Sequence, residues 1–192
     1  MKAYNVLPEG YREIFSLDLK KQWKPALLVN ALAAVLFFAM AVPMHFYIPF
    51  YSLFRTAEGV TVFNPKTITL FLGSVVYIIL HEAVHGIAMK ICGTKKVKYG
   101  FTGAYAYAGS SDFYDKSGYI FIALAPVVLW GIVLALLSLC VPGRWLWVVY
   151  FIQITNISGA AGDFYVTYKF SRMPKDILVT DYGVGMRVYS ME

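Results

Sequence analysis

The 192-residue chain is 59% hydrophobic and only 15% charged. Soluble domains run near 45–50% apolar and about 25% charged, so a water-soluble globular enzyme is disfavoured from the start. The net charge of +6 would suit nucleic acid, but the basic residues flank apolar runs instead of forming one patch, which argues against that partner and for a bilayer.

Residues 1–25 are mixed, with Lys2, Arg12, Lys20, Lys21 and Lys24, and the stretch from Tyr11 to Trp23 reads as a short helix lying at the membrane interface. The first apolar run covers about 26–42 and ends at Pro43. Too many polar residues precede it for a signal peptide, so it reads as a retained span. Further spans are expected at about 67–91, 118–141 and 145–168, each near the ~20 apolar residues that a membrane helix needs. Lys95 to Ser117 is too polar and glycine-rich to cross. Val97, Tyr99 and Phe101 alternate there with Lys98 and Gly100, and Tyr105 and Tyr107 alternate with alanines, which predicts a small β-hairpin. Residues 169–192 form a polar tail. The expected fold class is therefore an all-α membrane protein, with four transmembrane helices and a small cytoplasmic β-hairpin between the second and third. Residues 1–192 are read as a single integral membrane domain. Cys92 and Cys140 lack Cys-x-x-Cys spacing and read as two free thiols.

Charge orients these spans. The N-terminal segment, the hairpin region and the tail carry fourteen Lys and Arg, whereas the other side has only Arg55, Lys66 and Arg144. The positive-inside rule then places both termini and the hairpin in the cytoplasm, in a multi-pass protein of the cell membrane.

The second span contains His81-Glu82-Ala83-Val84-His85. Histidines at i and i+4 share one helical face, a turn apart, so both imidazoles can reach one zinc ion at about 2.0–2.1 Å. Glu82, turned about 100° around the helix, can address a metal-bound water without being a ligand. This is the H-E-x-x-H arrangement of zinc peptidases. Ionisable groups inside a membrane are costly and usually functional; the structural alternative is a pair of core histidines hydrogen-bonded to neighbouring helices. A catalytic zinc takes a third protein ligand. His45 lies near the opposite end of the first span, and the acids after His85 are Asp112, Asp115, Asp163, Asp176, Asp181 and Glu192. Only Asp163 falls inside a predicted span. Counted from Lys90 and Lys169, His85 and Asp163 lie about 7.5 and about 9 Å deep, at one level. A loop acid, Asp112 or Asp115, is the alternative ligand.

These residues resemble the site-2 protease type of intramembrane metalloprotease, which pairs H-E-x-x-H with an aspartate on a later span. Asn156 and Asp163 match that later motif, while its prolines and the glycine after the aspartate are missing here. The layout is closer to a bacterial family of small zincin-type membrane peptidases, which carries H-E-x-x-H-G and then Ala-Pro in the next span, as in His85-Gly86 and Ala125-Pro126. The resemblance covers about 7–170 and implies one Zn2+ per chain.

The expected activity is intramembrane zinc-dependent proteolysis of a transmembrane or membrane-associated protein substrate, with Glu82 as general base on a zinc-activated water and membrane lipid as the surroundings. Asn156, two turns before Asp163, could hold the substrate backbone or make a plain interhelical hydrogen bond. Tyr99 and Phe101 are candidate substrate contacts if the hairpin binds an extended segment by strand addition; otherwise it is a surface hairpin. Gly86, Gly159 and Gly162 mark either close helix approach or room for a peptide. Pro126 either kinks the third span and admits water or is a tolerated bend. The competing function is a non-catalytic membrane protein, a metal carrier or scaffold with a structural or degenerate zinc site.

Overall fold

A computed structural model describes residues 1–103, 106–183 and 185–191. Tyr105 of the expected hairpin alternation and Glu192 of the acid inventory lie outside them. Among the described residues, three helices are long and apolar enough to cross a membrane: α1 (Trp23–Tyr47, 25 residues, mean hydropathy 2.3), α2 (Pro65–Ile91, 27 residues, 1.8) and α3 (Lys116–Cys140, 25 residues, 2.8). α1 runs on through Pro43 to Tyr47 instead of stopping there, a bend that apolar surroundings tolerate.

The fourth predicted span is not one helix. It divides into α4 (Leu146–Gly159) and α5 (Ala161–Ser171), of 14 and 11 residues. Ala160, between them, leaves the helical region at φ −78°, ψ 11°. Two local causes coincide: Ser158 Oγ bonds back to the Ile154 carbonyl at 2.8 Å, and Gly159 is a poor helix former.

The all-α expectation is overturned by a five-stranded antiparallel sheet. Its strands are β1 (Ala3–Tyr4), β2 (Arg12–Leu17), β7 (Phe113–Asp115), β8 (Leu178–Asp181) and β9 (Met186–Ser190), in the order β1-β7-β8-β9-β2. The supposed interfacial helix at Tyr11 to Trp23 is in large part strand β2, and the supposed polar tail supplies the sheet's centre. β2 pairs with β9 from Arg12↔Ser190 to Leu17↔Met186, with a register shift between Glu13 and Phe15. Two ribbons complete the inventory. β3 (Arg55–Thr56) pairs with β4 (Gly59–Val60), and β5 (Lys98–Phe101) pairs with β6 (Ala106–Gly109) through Tyr99↔Ala108 and Gly100↔Tyr107.

The chain forms two compact units. One comprises Met1–Val29, Leu80–Pro126 and Gly162–Glu192; the other, Asn30–Ile79 and Val127–Ala161. In the first, the sheet and helices α2, α3 and α5 share a core of Leu17, Met89, Tyr114, Ile122, Phe170 and Val188, with Val179 of β8 among its fully buried members. In the second, Met44, Leu53, Trp147, Val148 and Ile154 form the core. Phe50 stands edge-on to Trp147 at 5.0 Å between ring centroids, and the Trp147 indole donates to the Ile48 carbonyl at 2.8 Å. Asn64 caps α2: its Oδ1 accepts from the backbone N–H of Lys66 at 2.8 Å and of Thr67 at 3.3 Å, with Pro65 at the first helical position, where a missing N–H costs nothing.

Candidate metal centre

The last third of α2 carries His81, Glu82, His85 and Gly86. The two imidazoles meet edge to face one turn apart, 5.0 Å between centroids with the planes at 76°. Asp163 reaches them from the first turn of α5, where the positive end of the helix dipole suits a carboxylate. Its Oδ1 lies 4.0 Å from His85 Nε2, too long for a hydrogen bond. One ligand atom from each of His81, His85 and Asp163 lies within 4.8 Å of the others. Donors around a tetrahedral zinc sit about 3.3–3.5 Å apart, so small side-chain adjustments close the set. Two neutral imidazoles and one carboxylate are the donor chemistry of a catalytic zinc site.

His85 Nδ1 lies 2.9 Å from the Ile122 carbonyl of α3. The β5–β6 hairpin lies against α2. The hairpin is seated by Tyr99 on β5. A Cβ at Gly86 would stand 1.8 Å from the Tyr99 hydroxyl, so only glycine leaves Tyr99 that place against α2. A Cβ at Gly159 or Gly162 would meet nothing within 4 Å; those two glycines mark no close helix contact. The loop acids Asp112 and Asp115 are engaged elsewhere or lie outside the cluster. Asp115 accepts from Gly118 N–H at 2.7 Å and pairs with the N-terminal amine at 3.5 Å, and neither belongs to the three-ligand group.

Asn156 sits in the second unit with no exposed surface. Its Oδ1 accepts from the Tyr77 hydroxyl at 2.9 Å, and its Nδ2 donates to the Val127 carbonyl at 3.1 Å. These are interhelical hydrogen bonds, one of the two roles the sequence leaves open.

Two residues near Asp163 escape sequence reasoning. A cavity of about 160 Å3 is lined by Asp163, Tyr119, Asp181, Gly183 and Met186 among others. Asp181 Oδ2 accepts from the Tyr119 hydroxyl at 2.5 Å and Oδ1 from Gly183 N–H at 2.8 Å. Burial raises the Asp181 carboxyl above its ordinary range, and these two donors oppose the rise. The available signal was Leu178-Val-Thr180 before Asp181-Tyr-Gly183, a strand entering a glycine turn.

The chain belongs to the family described as "Putative zincin peptidase", whose model matches residues 74–178, more than half its length. That stretch contains His81, Glu82, His85, Pro126 and Asp163, and zincin membership implies zinc. The chain is also similar to a 24.7 kDa protein of the gap 5′ region of Pyrococcus woesei, 30% identical over 128 residues. The match covers 62% of this chain and 53% of that protein, so the chain spans about half of its relative's length. No solved structure matches it.

Proposed function

We propose that the protein is a membrane-embedded zinc endopeptidase in which His81, His85 and Asp163 hold one zinc ion and Glu82 is the general base. The observation that carries this reading is the convergence of three donor atoms within 4.8 Å from helices lying far apart in the sequence, beside a glutamate that is not part of the set. Bound zinc supplies Lewis acidity and an acidified water. The Glu82 carboxylate takes a proton from the attacking water and returns it to the nitrogen of the leaving amine. His85 presents Nε2 on the side of Asp163.

The substrate is a segment of a membrane-associated protein, cleaved on the cytoplasmic side, where the fourteen basic residues place the termini and hairpin. Helical substrates hide their amides, so the segment must unwind. The hairpin then offers it an edge for strand addition. Tyr99 and Phe101 share a face of β5 by their i, i+2 spacing, and Tyr99 touches α2 one residue past His85.

The test is Glu82→Gln with two readouts: zinc content, and cleavage of β-casein and of a single-span model protein in detergent. Retained zinc with cleavage lowered by about 10²–10⁴-fold is expected. Zinc-free wild-type protein, wild-type protein that cleaves neither substrate, or cleavage that survives the substitution overturns the proposal; a metal carrier or scaffold holds zinc and cleaves neither substrate.

A further inference from the structure

We infer that Pro126 is a positioning residue for the metal centre: by withholding an N–H from the Ile122 carbonyl, it leaves that carbonyl to fix the proton of His85 on Nδ1. This rests on the reading of His85 as a zinc ligand.

In an α-helix each carbonyl accepts from the N–H four residues on. For Ile122 of α3 that residue is Pro126, inside the helix, and proline has no N–H. The Ile122 carbonyl is thereby orphaned by sequence alone, in a helix of mean hydropathy 2.8, among side chains that offer few donors. Ile122 is 2% exposed, and Pro126 is among the fully buried residues. An unsatisfied carbonyl in such surroundings must find a partner within the protein. It finds His85 Nδ1 at 2.9 Å.

The chemistry of that contact has one direction. A carbonyl oxygen can only accept, so Nδ1 must carry the proton. A neutral imidazole has a single N–H, so the lone pair is left on Nε2. Nε2 is the atom that stands 4.0 Å from Asp163 Oδ1. The bond therefore selects the tautomer, fixes the ring plane and raises the basicity of the donor nitrogen, as carbonyls and carboxylates behind metal-bound histidines do. Any other residue at position 126 restores an N–H that competes for the same carbonyl. The bend that the sequence suggests at Pro126 thus has a chemical consequence on the neighbouring helix.

The experiment compares four full-length proteins in detergent: wild type, Pro126→Ala, a backbone ester at 126 (lactic acid in place of alanine, introduced by nonsense suppression) and Pro43→Ala. Zinc affinity is read by chelator competition, and the His85 tautomer by 15N NMR of the zinc-free protein. Three histidines in the chain make that signal assignable by subtraction. Pro126→Ala is expected to weaken zinc by about 10–100-fold, as loss of an outer-shell partner does, and to mix the tautomers. The ester has neither N–H nor ring and should recover the wild-type tautomer and affinity to within a few-fold. Pro43→Ala makes the same change in α1 and should leave both unchanged. Unchanged affinity and tautomer in Pro126→Ala, or an ester as weak as alanine, overturns the inference. So does a wild-type spectrum with the proton on Nε2, a measurement that needs no variant to fold. Failure of wild type to bind zinc would instead sink the proposed function, while the tautomer readout still judges the role of Pro126.

Discussion

The two compact units solve one problem in opposite ways. Both bury polar side chains among apolar ones. In the unit built from Asn30–Ile79 and Val127–Ala161, three polar side chains bond another side chain or a backbone carbonyl: Asn156 to Tyr77 and Val127, Gln153 Nε2 to the Gly131 carbonyl at 3.1 Å, Trp147 to Ile48. Glu58, on a loop, is the one acid in that unit's sequence. In the unit that holds the sheet, His81, Glu82, His85, Asp163 and Asp181 are half-buried and all able to change charge, and three of them converge without a hydrogen bond between His85 Nε2 and Asp163. Mutually satisfied amides specify helix packing; converging donors that leave room between them specify chemistry. The turn after β8 adds a fixed backbone N–H at Asp181, a donor that a helix interior does not supply.

The comparison is broken most severely by Asp163→Ala. Losing an outer-shell partner costs about 10–100-fold in metal affinity, so losing a ligand should cost on the order of 100-fold or more, with little change in the thermal midpoint of the zinc-free protein. Chelator competition measures the first and scanning fluorimetry the second. Unchanged affinity would return Asp163 to the class of buried acids with no metal role.

Asn156→Ala sharpens the other side. It removes the bonds to the Tyr77 hydroxyl and to the Val127 carbonyl. Side-chain hydrogen bonds between membrane helices average about 0.6 and reach about 1.7 kcal/mol, so a loss of about 1 kcal/mol in detergent unfolding is expected, with zinc affinity unaltered. A drop in zinc affinity without a loss of stability would place Asn156 in the site after all.

What was legible in the sequence follows the same division. His81, Glu82 and His85 are a local pattern on one helix, so spacing alone reads them. Asp163 was reached by counting depth from Lys90 and Lys169, and it lies within 4.8 Å of both histidines although the span carrying it is broken at Ala160: the break lies before Asp163, and the count ran from the other end. The sheet was not legible, because its pairings join residues as distant as Arg12 and Ser190, and no window along the chain contains both. β8 and β9 looked like a tail because they are short, and their apolar residues, Leu178, Val179 and Val188, become a core only against partners elsewhere. Asp181 disappeared with them. Pro126 was visible as a bend; its link to His85 needed the Ile122 carbonyl, a backbone atom without any sequence signature.

The smallest effect tests whether the sheet is held by charge at its outer end as well as by burial. Asp176, just before β8, accepts from Met191 N–H at 2.9 Å and from the Ser190 hydroxyl at 2.8 Å, both on Oδ2. The Met191 N–H first, and then the Ser190 hydroxyl, hold its carboxyl below the ordinary 3.8. A depressed carboxyl contributes stability that is fully present above the unfolded value and is lost as pH falls through the folded one. Asp176→Asn keeps an oxygen that can accept both bonds but removes the charge, so it should melt lower than wild type at neutral pH. The gap should begin to narrow as pH falls below about 3.8 and close below the lower folded value, where wild type is neutral too. Thermal midpoints of the pair at pH 7, 4 and 2.5 measure it. A gap that stays constant across that range would assign the Asp176 contribution to hydrogen-bond geometry alone and leave β9 secured by Val188 and the bonds to β8 and β2.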